Sequence, residues 1–246
     1  MTKKIRKLIL QAAHHAKHGH IPSAMSIVEC IVAIHKKKSK NDVFILSKGH
    51  GCLAYYAYLC NAGKISLDDL INFGKRGSKL GGHPDKNKID EVYASTGSLG
   101  HGLPIAIGTA LAKKIKKENG TVFCLIGDGE SNEGTIWESL SIAKKLNLTN
   151  LICIVDNNKS QTRSLPAINL SKKFKSFGWE TYEIDGHNIS ALDSILYSTK
   201  NKISNPIAII ANTIKGKGIK DIEDNMFAWH HRSPTEEEYK MFLKEL

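Results

Sequence analysis

The sequence is poor in the features that mark secreted, membrane and zinc-binding chains. Its basic start, MTKKIRKLILQAAHHAKHGH, is followed by no apolar run long enough for a signal peptide or a membrane span. Neither export nor a membrane role is expected, and a cytoplasmic protein is the default reading. Cysteine is scarce: Cys30, Cys52, Cys60, Cys124 and Cys153 are odd in number, and no two show CxxC spacing. That argues against disulfides and against a zinc site, while Cys124 and Cys153, inside apolar runs, read as buried thiols. Arginine is limited to Arg6, Arg76, Arg163 and Arg232. No internal repeat and no low-complexity linker interrupts the chain. What remains is an ordinary globular balance, 41% apolar and 24% charged over 246 residues. That length is enough for one large domain with a substantial core, or for two small ones; a single domain over 1–246 is expected.

The net charge of +11 raises the question of nucleic acid. The lysines, however, are dispersed over Lys36–Lys38, Lys113–Lys117, Lys172–Lys175 and Lys215–Lys220, without interleaved aromatics. They read as a solvated surface, and no nucleic-acid partner is expected. Anionic substrates or cofactors would also benefit from the field.

Residues 3–17 and 23–37 read as helices, with Ser23 as an N-cap for the second. Val43–Leu46 is a short apolar strand running into Ser47-Lys48-Gly49-His50-Gly51, and 52–62 reads as helix. Residues 74–101, rich in Gly, Ser and His, form a long irregular stretch of the kind that is usually functional. Helix resumes over 103–117. The clearest unit follows: Thr121–Ile126 is a wholly apolar, β-branched run expected of a buried parallel strand. Gly127-Asp128-Gly129 breaks it, 133–146 reads as helix, and Leu151–Val155 is the next buried strand, ending at Asp156-Asn157-Asn158. Trp179–Ile184 as strand, 190–201 as helix and Pro206–Ala211 as strand continue the alternation. The expected fold is α/β, a parallel sheet with helices on both faces. Ligands then bind at the carboxyl ends of the strands, where Gly127-Asp128-Gly129 and Asp156-Asn157-Asn158 both fall.

Those two strand ends suit one chemistry. Asp128 offers an anionic oxygen, Asn158 a carbonyl oxygen, and the glycines flanking Asp128 let backbone approach a ligand closely. Two oxygen ligands, completed by waters and phosphate oxygens, fit octahedral Mg²⁺, which would bridge a diphosphate held by backbone N–H groups of the glycine turn. Alone, GDG is a tight turn and NN a strand-end turn. Together, with 27 residues and one βαβ crossover between them, they resemble the thiamine-diphosphate fingerprint.

The surrounding text narrows the resemblance. GDGESNEGTIWESLSIAKKLNLTNLICIVDNN is similar to transketolase, as are Gly19-His20 with Ser23, SKGHG (47–51), GGHPD (81–85), GSLGHG (97–102), GW (178–179), DGH (185–187), TIKGKG (213–218) and WHH (229–231). The resemblance covers essentially the whole chain, in order. It points to the N-terminal diphosphate-binding domain of transketolase and to the N-terminal subunits of split transketolases.

The resemblance implies thiamine diphosphate and Mg²⁺ as cofactors. Asp128 and Asn158, with the backbone carbonyl of Ser160, would be the metal ligands. Gly127, Gly129 and His50 would meet the diphosphate, and Gly97 and Leu99 would lie near the cofactor rings. Glu133 would communicate with the partner's cofactor site. His20, His83 and His230 would line the substrate channel, with His230 also approaching the diphosphate. On physical grounds, imidazoles beside Gly, Pro or another His in loops suit a sugar substrate, which needs hydrogen-bonding partners and proton transfers near neutral pH.

Three departures stand out: His101 where the family more often has Gln, His231 where it often has Gly, and an end near Leu246 just after PTEEEY (234–239). In this family the glutamate that activates the aminopyrimidine ring and the arginines that bind sugar phosphate belong to a second, pyrimidine-binding part, and no segment here matches them. The expectation is therefore a self-associating subunit completed by a C-terminal, pyrimidine-binding transketolase subunit, most simply as a heterotetramer. It would transfer a two-carbon ketol unit between sugar phosphates, as in pentose phosphate metabolism. Alternatives are half of another thiamine enzyme, a transketolase specialised for a modified sugar, or a non-catalytic binding homologue.

Overall fold

The apolar runs become the strands of one parallel sheet in the computed structural model, which describes residues 1–163, 165–166, 168–198 and 204–246. In chain order the elements are α1 (Thr2–Ala16), α2 (Ile21–Met25), α3 (Val28–Lys37), β1 (Val43–Leu46), α4 (Cys52–Asn61), α5 (Leu67–Ile71), α6 (Gly102–Lys116), β2 (Val122–Gly127), α7 (Gly134–Lys145), β3 (Leu151–Asn157), α8 (Leu170–Ser176), β4 (Glu180–Asp185), α9 (Ile189–Ser198), β5 (Ile207–Asn212), α10 (Lys220–Asp224) and α11 (Glu236–Glu245). The chain divides into two compact units, one of Ala33–Lys48 and Ser98–Thr213, the other of Met1–Val32, Gly49–Gly97 and Ile214–Leu246.

The first unit holds the whole sheet, in the order β1-β2-β3-β5-β4. β2 is buried along its length, and β3 and β5 along all but their last residues; β4, at the edge, is half-exposed. The central strands are apolar up to their carboxyl ends for this reason: both faces are covered, and each large apolar side chain contributes about 1.5–3 kcal/mol on burial. The chain steps one way across the sheet from β1 through β3 to β4, then returns to insert β5. Right-handed crossovers therefore place α9 on the opposite face from α7 and α8, the two-faced arrangement expected. The register pairs Gly127 with Asp156 and Asn157 with Asn212, so the carboxyl ends of three strands lie side by side.

The second unit is helical. Arg6 is buried and donates to both carboxylate oxygens of Glu29, at 2.7 and 2.8 Å, and to the Met25 and Lys217 carbonyls. Trp229 is buried against Phe242, with its indole N–H on Asp221 at 2.9 Å, which anchors the segment that continues into His230. The PTEEEY segment supplies the start of α11: the Thr235 hydroxyl and the Glu238 carboxylate form a reciprocal cap.

Most expected elements agree with the structure within a residue or two, including the irregular stretch between α5 and α6. The last residues of the expected 190–201 helix, 199–201, lie outside the described residues. One reading is corrected. Residues 23–37 are not a single helix, and Ser23 is no cap; it lies inside α2, which begins at Ile21 with Pro22 in its first turn. The Ser26 hydroxyl then donates to the Ser23 carbonyl at 3.1 Å, and Ile27 N–H closes a short turn onto Ala24. These local bonds take carbonyls that a continuous helix would use. The sequence reading also passed over α5, whose cap Ser66/Asp69 is a legible capping box, and over the short helices α8 and α10.

Candidate functional site

In the sheet unit, the turn after β2 and the turn after β3 meet through side chains. Asp128, 1% exposed, accepts from its neighbour Gly129 N–H at 2.8 Å and from the Ser160 hydroxyl at 3.2 Å. Asn158 is buried, and its Oδ1 accepts from Ser160 N–H at 3.0 Å. Asp128, Asn158 and Ser160, the three residues expected to hold a metal, thus form one connected group. Burial, reinforced by the nearby Asp156 carboxylate, pushes the Asp128 carboxyl above its usual range. A divalent cation would reverse that cost.

Beneath them lies a network that the sequence reading missed. Asp156 is fully buried; one carboxylate oxygen accepts from the Lys48 ammonium and from Asn158 Nδ2 (2.7 Å), the other from the Thr213 hydroxyl. Lys48 is itself 1% exposed, a buried ion pair that holds only if both partners stay. The pairing also fixes the Asn158 amide. Its NH₂ must face the carboxylate, so its carbonyl oxygen points away from it.

Glu130 is the second buried carboxylate outside the expected set. It accepts from Gly127 N–H (3.1 Å), from Gly100 N–H (2.9 Å) and from the Ser47 hydroxyl. It thereby ties the GDG turn to the GSLGHG loop and to the end of β1. Gly100 has φ +82°, and a Cβ there would come within 2.4 Å of the Thr135 hydroxyl. At Gly129, by contrast, a Cβ would meet nothing within 4 Å, so the backbone of the turn is open to close approach on that side. Leu99 is half-buried and Glu133, which caps α7 through its backbone alone, is exposed. His101 is exposed, its Nδ1 3.0 Å from the Leu99 carbonyl.

In the helical unit, three expected histidines come together. Ring centroids of His20 lie 5.4 Å from His50 and 5.3 Å from His230. His231 joins them, 4.2 Å from His20 and 4.6 Å from His230. Burial, with His231 and then His230 adding positive charge when protonated, lowers the His20 pKa to about 3. His20 is therefore a neutral imidazole at neutral pH. His83 is exposed and also contributes to lowering the His20 pKa; its own pKa is lowered by partial burial and by His18. Gly97 runs beside it, its Cβ position 3.7 Å from the His83 ring. The Lys215 ammonium lies 3.5 Å from His230 Nδ1.

The oxygen set suits the ion it was expected to hold. Carboxylate, amide and backbone carbonyl oxygens are hard ligands, and the glycine turn beside them, open at Gly129, leaves room for a diphosphate.

The family model described as transketolase, thiamine diphosphate binding domain, matches residues 1–244. An apulose-4-phosphate transketolase subunit of Actinobacillus succinogenes is 38% identical, over 98% of this chain and 92% of its own. A 6-deoxy-6-sulfo-D-fructose transketolase subunit of a Clostridium species is 36% identical, over 98% of this chain and 93% of its own. Among solved structures, transketolase from Campylobacter jejuni superposes with a TM-score of 0.88 at 27% identity; the match spans 99% of this chain and 42% of that one.

Proposed function

Since the chain belongs to the transketolase family, as its thiamine diphosphate binding domain, we propose that it works as the N-terminal subunit of a two-chain transketolase. In this reading the whole of residues 1–246 serves as one cofactor-anchoring domain. Asp128, Asn158 and the Ser160 carbonyl hold Mg²⁺. Gly127 and Gly129, with His50 and His230, meet the diphosphate, and Gly97 and Leu99 pack near the rings. When bound, thiamine diphosphate supplies the electron sink for cleaving and forming the carbon–carbon bond next to a ketose carbonyl. His20, His83 and His230 bind the sugar hydroxyls and move protons at its oxygens, and neutral imidazoles suit that role.

The observation that carries this reading is the connected group Asp128–Ser160–Asn158 at adjacent strand ends, steadied by Asp156 and Lys48. Relatives named as subunits, matched along more than nine-tenths of their length, support a separate partner subunit. In this reading that partner is the pyrimidine-binding chain, the assembly is a cytoplasmic heterotetramer, and Glu133 faces the partner. The reaction is transfer of a two-carbon ketol unit from a ketose to an aldose. The names of those relatives favour a modified sugar over pentose phosphates as the substrate. The test is a steady-state transferase assay with the pyrimidine-binding partner titrated into the purified chain. Activity should be absent without the partner and should rise together with cofactor affinity as it is added. Full activity from this chain alone would refute the two-chain reading.

A further inference from the structure

The absence of paired cysteines argued against zinc, but a nitrogen site arises from residues 210 positions apart. His20, His230 and His231 each present a ring nitrogen within 4.8 Å of the other two. The three rings stand edge to face, 4.2 to 5.3 Å between centroids. Metal–nitrogen bonds of about 2.0–2.1 Å require the rings to draw inward by rotation about their side-chain bonds. The site allows this, since His231 is exposed and His20 and His230 are only half-buried.

We propose that His20, His230 and His231 form a three-imidazole site for a borderline-soft transition-metal ion of the Zn²⁺ class, with a fourth position left open. Three histidines and an open position is a recurrent zinc set. The choice of ion follows from the donors. Among the described residues no carboxylate belongs to the cluster, and the Lys215 ammonium lies 3.5 Å from His230 Nδ1. A hard ion such as Mg²⁺, bound through charge and oxygen, gains nothing there, whereas Zn²⁺, Co²⁺, Ni²⁺ and Cu²⁺ bond strongly to imidazole. The site is distinct in chemistry from the oxygen set around Asp128, and an ion bound there occupies His20 and His230 and withdraws them from any sugar.

The experiment uses the purified full chain, stripped with chelator and titrated with Co²⁺ while the visible absorption is followed, then back-titrated with Zn²⁺. The proposal expects one equivalent of Co²⁺ to bind with tetrahedral-type bands that Zn²⁺ abolishes. His231→Ala and His231→Gln, both at an exposed position, should fold as the parent by circular dichroism and lose those bands. Asp128→Ala, which removes the proposed Mg²⁺ ligand, should keep them. Absence of stoichiometric Co²⁺ binding, bands that persist in both His231 variants, or bands lost in Asp128→Ala but kept in His231→Ala would each overturn the site. None of these readouts depends on transferase activity, so the proposal stands or falls apart from the two-chain reading.

Discussion

Lys48 and Asp156 can be removed separately or together, and the three outcomes separate stability from metal positioning. Lys48 is 1% exposed and Asp156 0%. Lys48→Met strands a buried carboxylate, and breaking a buried pair by deleting one partner costs about 3–5 kcal/mol. Against a total stability of about 5–15 kcal/mol, that is a large fraction. At roughly 2–4 °C per kcal/mol for a chain of this size, the melting temperature should fall by about 6–20 °C. Lys48→Met with Asp156→Asn removes both charges at nearly constant volume and should recover most of the loss. It should not recover metal affinity. A neutral amide at 156 no longer dictates which end of the Asn158 amide faces it, so the Oδ1 that should face the ion is no longer fixed. Outer partners of metal ligands are typically worth about 10–100-fold in affinity. Calorimetric melting and Mg²⁺-dependent titration of thiamine diphosphate on all three variants read both effects. A double variant that binds cofactor like the parent would refute the orienting role of Asp156. A Lys48→Met chain that melts with the parent would refute the buried pair.

Three further outcomes follow from the burial pattern and the histidines. His83→Ala should lower turnover of the reconstituted enzyme by about 10²–10⁴-fold while leaving cofactor affinity near normal; near-normal turnover in steady-state assays would reassign it to structure. All five cysteines are free and only Cys60 is half-exposed, and burial pushes the Cys52 thiol up to about 12 and those of Cys124 and Cys153 well above 9.0. A colorimetric thiol titration of the folded chain should therefore count no more than one group near pH 8 and five after denaturation. Because unfolding releases these protons above pH 9 while the folded state keeps them, stability should fall as pH rises past 9, visible as a falling melting temperature between pH 8.5 and 10.5.

The sheet was legible because its strands are apolar without alternation, and Gly127 and Asp156 mark where each strand must stop. The pairing of those ends follows from a single crossover, so Asp128 and Asn158 could be joined from sequence. Asp156 could not, since it reads as the first residue of a turn; its partners Lys48 and Thr213 are 108 and 57 positions away and arrive only through strand order. Glu130 was hidden for the same reason, bonded across to Ser47 and Gly100. At the break between α2 and α3 a serine hydroxyl and the Ile27 N–H turn onto nearby backbone carbonyls, a local choice that helical periodicity does not reveal. His231 read as a departure in a loop, and its closeness to His20 emerges only in the fold.

Whether the strand ends at Asp128 and Asn158 hold a Mg²⁺–diphosphate is tested by isothermal titration of thiamine diphosphate into the purified chain, with and without Mg²⁺, for the parent and for Asp128→Ala. The parent should bind in a Mg²⁺-dependent way, and the variant should remain folded by circular dichroism yet no longer respond to Mg²⁺. Equal affinity in the folded variant and the parent, with Mg²⁺ present, would contradict that assignment.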